Sequence, residues 1–192
     1  MRKIVFDIET KNTFRDVGSR EAVDLDISLL AIHDSKTDGY DSFLQEEFGE
    51  LWPILESADS LIGYNSDHFD IPLLNKYYPG DLTQVKSVDL LKAIHESLGR
   101  RIKLDDVAKA TLGEEKSAHG LQAVTWWKQG EIEKIREYCI QDVRVTKRLY
   151  DYALENGHLK YSQGGDVIEI PLDTSDWETP EATGMTRSMP FE

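Results

Sequence analysis

Residues 3–10 read Lys-Ile-Val-Phe-Asp-Ile-Glu-Thr, an apolar run that ends in two acidic residues. Its β-branched and aromatic side chains predict a β-strand over residues 3–8. Side chains alternate between the two faces of a strand, so Asp7 and Glu9 should point to the same face. Two adjacent carboxylates repel each other unless a cation or a shared proton neutralises them. The alternative is a pair of solvated acids, because Asp-x-Glu is a common sequence.

The composition narrows the classes of protein that fit. The chain has 192 residues, a net charge of −14 and one cysteine, Cys139, which excludes an internal disulfide. No apolar run approaches the ~20 residues of a membrane helix, so we expect a cytoplasmic protein without membrane contact. The acidity argues against tight binding of nucleic acid by charge alone. It does not exclude a nuclease, because bound divalent cations invert the field of a carboxylate cluster.

Strand-like and helix-like segments follow one another along the chain. Strands are predicted at residues 27–33, 40–44, 61–64 and 85–89. Helices are predicted at residues 46–57, 71–78, 90–98, 104–112 and 131–156. The first three strands suggest an antiparallel meander. The whole order predicts an α/β fold with a mixed sheet flanked by helices.

The last part of the chain differs in composition. From residue 160 onwards it has three prolines, and seven acidic residues against two basic ones. We predict one domain over residues 1–158 and an acidic, partly extended C-terminal extension over residues 159–192. Residues 167–172 could form a strand. The extension is the candidate segment for binding a protein partner.

Two further positions bring polar side chains into the pattern. Tyr138 and Asp142 lie four residues apart in the longest predicted helix, so they share one face of it. A phenol that is hydrogen-bonded to a surface carboxylate would have the same spacing. Asp70 follows a predicted strand at the start of a helix, where an aspartate also caps backbone N–H groups. Asp67 and His68 are nearby competitors for any metal-binding role.

Three segments resemble a known family. Residues 6–10, Phe-Asp-Ile-Glu-Thr, resemble the first motif of the DEDD superfamily of exonucleases. Residues 63–65, Gly-Tyr-Asn, with residues 69–74, Phe-Asp-Ile-Pro-Leu-Leu, resemble the second motif, in the form closest to the proofreading exonuclease domain of family B DNA polymerases. Residues 138–142, Tyr-Cys-Ile-Gln-Asp, resemble the third motif in its tyrosine form, DEDDy.

The resemblance implies a ribonuclease H-like fold with a central mixed five-stranded sheet and two Mg²⁺ or Mn²⁺ ions. Hard cations prefer carboxylate oxygens, and the implied ligands include no cysteine or histidine of the kind that suits zinc. Asp7 would bridge both ions. Glu9 and Asp142 would complete one site, and Asp70 would serve the other, partly through water. Tyr138 would orient the attacking water with its hydroxyl.

The motifs also contain candidate substrate contacts. The candidates are Thr10, Asn65 and Phe69, and by the resemblance Asn65 would contact the terminal nucleotide. Asn65 could instead stabilise a turn, and Phe69 could pack in the core. A segment before the last helix adds side chains that suit single strands or simply pack at the surface, namely Lys116, His119, Trp126 and Trp127.

The expected function is metal-dependent hydrolysis of single-stranded nucleic acid from the 3′ end, with release of nucleoside 5′-monophosphates. Two ions ~4 Å apart would catalyse the reaction. DNA is favoured over RNA, although the motifs do not show whether a 2′-hydroxyl is recognised. An endonuclease of the same fold is an alternative that the tyrosine in the third motif disfavours. A catalytically silent nuclease-fold scaffold is another, which the presence of all four carboxylates disfavours.

Overall fold

The chain folds into a mixed sheet, seven helices and a hairpin in the part that a computed structural model describes, residues 1–114 and 121–179. The strands are β1 (Lys3–Thr10), β2 (Ile27–Asp34), β3 (Gly39–Leu44), β4 (Ser60–Gly63), β5 (Lys86–Asp89), β6 (His158–Gln163) and β7 (Asp166–Pro171). The α-helices are α1 (Phe14–Val17), α2 (Phe48–Glu56), α3 (Asp70–Asn75), α4 (Leu90–Leu98), α5 (Leu104–Leu112), α6 (Leu121–Gln129) and α7 (Ile132–Asn156).

The first five strands form one sheet in the order β3-β2-β1-β4-β5. β1 pairs antiparallel with β2, and β2 pairs antiparallel with β3. β1, β4 and β5 run parallel to one another. The predicted α/β fold is therefore confirmed, with its mixed five-stranded sheet and its antiparallel meander at the start. Pairing between β1 and β4 ends at Val5, opposite Ile62.

β1 lies in the middle of the sheet and alternates between two hydrophobic cores. Ile4, Phe6 and Ile8 pack in one core with α2 and α3. Val5 packs in the other core, on the face covered by α4 to α7. Since side chains alternate along a strand, Asp7 and Glu9 share the face of Val5 and point towards α7. The alternation of β1 therefore places these two carboxylates on the same face, as predicted.

α7 spans 25 residues and packs against β1 and β2. The side of the helix that faces the core is buried, namely Ile135, Cys139, Val143, Thr146 and Leu149. The helix ends before Gly157, which takes the left-handed conformation (φ 71°) that favours glycine at such a stop. Among the described residues, no helix is both long and apolar enough to cross a membrane.

Two of the helices are not among the predicted ones. α1 lies between β1 and β2, where Thr13 and Asp16 form a capping box. α6 immediately precedes α7. The predicted helix at residues 71–78 is also shorter than expected, since α3 ends at Asn75. These differences change the surroundings of β1 but leave the order of the main elements intact.

β6 and β7 form an antiparallel hairpin after α7. Only its second strand was predicted, at residues 167–172. The turn contains Gly164 and Gly165, both with positive φ, and Gly-Gly is a frequent two-residue hairpin turn. Leu159 and Ile170 face each other across the strands and are fully buried.

The residues after the hairpin pack against α7. The indole of Trp177 stacks on the ring of Tyr150, with 5.4 Å between centroids and 11° between planes. Both belong to the same core as α7 and the hairpin. The division of the chain at residue 158 stays a prediction about domain organisation, while residues 159–179 contribute side chains to the core of the preceding part.

Candidate active site

Three carboxylates meet where β1 ends against α7. One oxygen atom from each of Asp7, Glu9 and Asp142 lies within 4.8 Å of the other two. Glu9 and Asp142 are only 8% and 6% exposed, and Asp7 is half-buried. The packing of a strand against a helix sets this spacing. Carboxylates so close and so poorly hydrated favour a cation between them, because it offsets their mutual repulsion.

Cys139 lies beneath this group. Its thiol donates to the backbone carbonyl of Asp7 at 3.3 Å, and its Sγ is 3.5 Å from Oδ2 of the same residue. Burial raises the pKa of the Cys139 thiol well above its usual value, and the three carboxylates raise it further. The protonated thiol thus acts as a buried donor next to Asp7 rather than as a thiolate.

Asp70 approaches β1 from the side of β4. It is the first residue of α3 and is 5% exposed. Its own backbone N–H and that of Ile8 face this carboxylate and favour its charged form. Burial raises the pKa of Asp70 well above its usual value, and the negative charge of Asp89 raises it further. Asp70 therefore adjoins the strand of the carboxylate group without being a member of the group.

Asp67, the nearby competitor for a metal role, is directed elsewhere. Its carboxylate forms an ion pair with Lys92 at 2.9 Å and accepts a hydrogen bond from Ser87 at 2.5 Å. Asp89 organises the same loop, because it accepts the backbone N–H groups of Asn65 at 2.7 Å and Asp67 at 3.1 Å. It also caps the start of α4. These two acids hold the β4–α3 loop in place.

Tyr138 lies one helical turn before Asp142 and is 6% exposed. The ring of Trp126, on α6, packs against it edge-on, with 5.9 Å between centroids. This contact gives Trp126 a packing role. Trp127 instead lies under the ammonium group of Lys11, 4.9 Å from the ring centroid. Lys116 and His119, also considered for substrate contact, lie outside the described residues.

The loop between β4 and α3 depends on a close approach at Gly63. A Cβ atom at that position would lie 2.4 Å from Cβ of Ser66, which is too close for any side chain. Asn65 has φ 71°, a left-handed conformation that asparagine tolerates. Its side-chain oxygen accepts a hydrogen bond from the guanidinium of Arg101. The turn role of Asn65 is therefore present in the structure, and its contact with substrate stays a prediction.

The two other candidate substrate contacts make internal interactions. The hydroxyl of Thr10 donates to the carbonyl of Asn12 at 2.8 Å. Phe69 is half-buried and meets the exposed ring of Phe14 edge-on, with 6.1 Å between centroids. The contacts of Phe69 agree with the packing alternative, and substrate contact by either residue remains a prediction.

The chemistry of the group fits a hard divalent cation. Its ligand atoms are carboxylate oxygens, which Mg²⁺ and Mn²⁺ prefer. Two of the three side chains are already buried, so the fold holds them in place for a bound cation.

Sequence reasoning missed the cationic side chains near Asn65. Arg101 reaches that residue from the connection between α4 and α5, and Lys92 lies on the first turn of α4. The consecutive Arg100 and Arg101 after Gly99 were the available signal. They were overlooked because only the fold brings this connection next to the loop that leads to Asp70.

Comparisons with known proteins agree with this architecture. A family B DNA polymerase from Pyrobaculum calidifontis matches 80% of the chain with a TM-score of 0.62 and 20% identity, and the match spans 24% of the polymerase. RNase D from Trypanosoma brucei matches 80% with a TM-score of 0.59 and 17% identity, over 58% of its length. The chain thus spans less than two thirds of either protein.

At these identities the two structures are evidence for the fold alone. No curated protein sequence matches the chain. A sequence model of the RNase_H superfamily matches residues 4–154, which include all five predicted catalytic residues and the five-stranded sheet except its first residue, Lys3. The fold is ribonuclease H-like, and the chain belongs to the RNase_H superfamily.

Proposed function

We propose that the protein is a metal-dependent 3′→5′ exonuclease of the tyrosine type, acting on single-stranded nucleic acid. The observation that carries this proposal is the meeting of Asp7, Glu9 and Asp142 within 4.8 Å. Asp70 and Tyr138 lie on the adjoining elements. The site is at the carboxyl ends of parallel strands, where open α/β sheets bind ligands. Membership of the RNase_H superfamily supports a nuclease.

The ligands would divide between two ions. Glu9 and Asp142 would hold one cation, Asp70 would serve the other, and Asp7 would be shared. Mg²⁺ or Mn²⁺ bound there supplies positive charge against the phosphate and acidifies water for attack. The contact between Asp70 and the N–H of Ile8 supports this division, because it fixes Asp70 beside the strand that bears the shared ligand.

Tyr138 would orient the attacking water. Its hydroxyl can donate and accept a hydrogen bond, so it can fix the direction of a water molecule without taking up the proton permanently. The edge-on contact with Trp126 restricts the ring. The burial of Glu9 and Asp142 limits competing water around the reacting phosphate.

We propose single-stranded DNA as the first substrate to test and RNA as the second. The wording of the second motif is closest to the DNA polymerase pattern. The two solved structures do not favour one nucleic acid over the other, since one is named as a DNA polymerase and the other as RNase D.

The test uses 5′-end-labelled DNA and RNA, single- and double-stranded, with Mg²⁺, Mn²⁺ or EDTA. We expect products that shorten stepwise from the 3′ end only when metal is present. An Asp142→Asn protein, purified in parallel, controls for contaminating nucleases. Cleavage that persists in EDTA would contradict the proposal. Absence of cleavage on every substrate would also contradict it and would favour the silent scaffold.

A further inference from the structure

A cavity of about 200 Å³ lies beside the carboxylate site. It opens between the β4–α3 loop and the start of α4, so it is at the carboxyl ends of β4 and β5. The strand order β1-β4-β5 puts it on the same edge of the sheet as the three carboxylates. Adjacent strands are ~4.8 Å apart, so the cavity is one or two strand spacings from the end of β1.

Positively charged and imidazole groups line much of this cavity. Lys92 and Arg101 contribute full positive charges, and His68 and His95 contribute ring nitrogens. All four side chains belong to exposed residues. A group of four basic side chains at one place is unusual in a chain with a net charge of −14. An anion is the ligand that this lining would attract.

The acidic side chains of the cavity are already engaged. Asp89 accepts backbone N–H groups from the β4–α3 loop and from the start of α4. Asp67 accepts from Ser87 and pairs with Lys92. The lysine ammonium has three donors and the Arg101 guanidinium has five, so both retain donors after their internal contacts.

We propose that this cavity binds a backbone phosphate of the substrate strand on the 5′ side of the cleaved bond. The inference rests on the proposed exonuclease function. An enzyme that releases a 5′-monophosphate from the 3′ end removes the scissile phosphate with the terminal nucleotide. Every other phosphate of the strand then lies on the 5′ side, so a second phosphate site would hold the upstream strand.

Arg101 links the two sites. Its guanidinium donates to the side chain of Asn65, and the loop that begins there leads to Asp70. A phosphate in the cavity would therefore hold the strand next to the loop that presents Asp70. Arginine suits this role, since its planar donor group matches phosphate oxygens.

The first experiment measures binding without cleavage. A fluorescent DNA oligonucleotide of ten nucleotides is titrated in EDTA with the wild-type protein and with Arg101→Gln and Lys92→Gln. Lys92→Gln separates a phosphate contact from the Asn65 contact, because Lys92 pairs with Asp67 instead. Each variant should bind about fivefold or more weakly, and the slope of log affinity against log salt should fall by roughly 0.7.

Arg100→Gln is the matched control. This neighbouring arginine donates to Gln163 and lies over the ring of Tyr161, away from the cavity lining. It should leave affinity and salt slope unchanged. Equal weakening by Arg100→Gln and Arg101→Gln would reduce the effect to net charge and overturn the proposal.

The second experiment measures KM and kcat on substrates of different length. A dinucleotide with a free 5′-hydroxyl contains only the scissile phosphate, so Lys92→Gln should weaken its cleavage far less than that of a longer strand. On a ten-nucleotide strand the same variant should raise KM severalfold with little change in kcat. Equal effects on both lengths, or no effect on either, would overturn the phosphate site. Binding without cleavage by the wild type would instead overturn the exonuclease function, and the binding result would still report on the cavity.

Discussion

The backbone N–H of Ile8, the residue that lies between Asp7 and Glu9 on β1, faces the carboxylate of Asp70 and favours its charged form. This contact exists because β4 stops pairing with β1 at Val5, which leaves the later part of that strand edge open. The same strand therefore presents two carboxylates from its face and holds a third through its edge.

Asp70→Asn should greatly reduce activity while preserving the fold. The amide oxygen can still face the N–H of Ile8, but it is a weaker ligand for Mg²⁺ than a carboxylate. We expect the residual activity to need a higher Mg²⁺ concentration. Rates measured across a Mg²⁺ titration, with circular dichroism as the fold control, test this. Unchanged activity and Mg²⁺ dependence would remove Asp70 from the set of ligands.

Asp142→Asn should abolish nuclease activity and should not lower the melting temperature in EDTA. It removes a metal ligand, and it also relieves repulsion among three carboxylates that lie within 4.8 Å. Thermal melts with and without Mg²⁺ separate the two effects, because the metal-induced rise in Tm should disappear. Wild-type activity in this variant would refute the assignment of the site.

Tyr138→Phe should lower kcat by tenfold to a hundredfold, on the order of 1.4–2.7 kcal/mol in the barrier. The ring remains and keeps its contact with Trp126, so only the hydroxyl is lost. The rise in Tm on addition of Mg²⁺ should survive. If that rise is lost as well, the tyrosine is needed for the metal site rather than for orientation of water.

Gly63→Ala should destabilise the protein by about 1–3 kcal/mol, since the new Cβ would clash with Ser66 and shift the loop before Asp70. Gly49→Ala is the matched control. A Cβ at Gly49, within α2, meets nothing within 4 Å, so this change should be neutral or slightly stabilising. Urea unfolding of both variants gives the comparison. Equal stabilities would show that the loop can move freely.

Asp34→Asn should lower stability at neutral pH and flatten its loss in acid. The guanidinium of Arg2 donates to both oxygens of Asp34 and holds the pKa of that carboxyl below its usual value. A lowered folded-state pKa contributes stability above the unfolded value of ~3.9, and this is lost as the pH falls through the folded pKa. Urea melts between pH 3 and pH 7 should show the variant and the wild type converging in acid.

The carboxylates on β1 and α7 were predictable from the sequence because their positions follow from local periodicity. Asp7 and Glu9 fall on one face by strand alternation, and Tyr138 and Asp142 on one face by helical spacing. The position of Asp70 beside Ile8 was not, since it depends on where the pairing of two distant strands stops. No pattern within one segment reports such an end point.

The hairpin after α7 was only partly predicted for a different reason. The turn residues were present in the sequence, but the first strand follows the end of α7 directly, and only Leu159 and Tyr161 of its six residues are apolar. Its inner face is buried only because α5 and α7 cover it. The cavity that Lys92 and Arg101 line was not predicted for a similar reason, because its lining residues come from three separate segments.

The stacking of Trp177 on Tyr150 bears on how the protein should be shortened for laboratory use. The match to the superfamily ends at residue 154, so a protein truncated there would still contain the whole matched region. The expressed polypeptide would lack the indole that covers Tyr150 and the hairpin that covers the end of α7. Its newly exposed apolar surface would favour aggregation. The smallest soluble fragment should therefore extend through at least Thr179, 25 residues beyond the superfamily match.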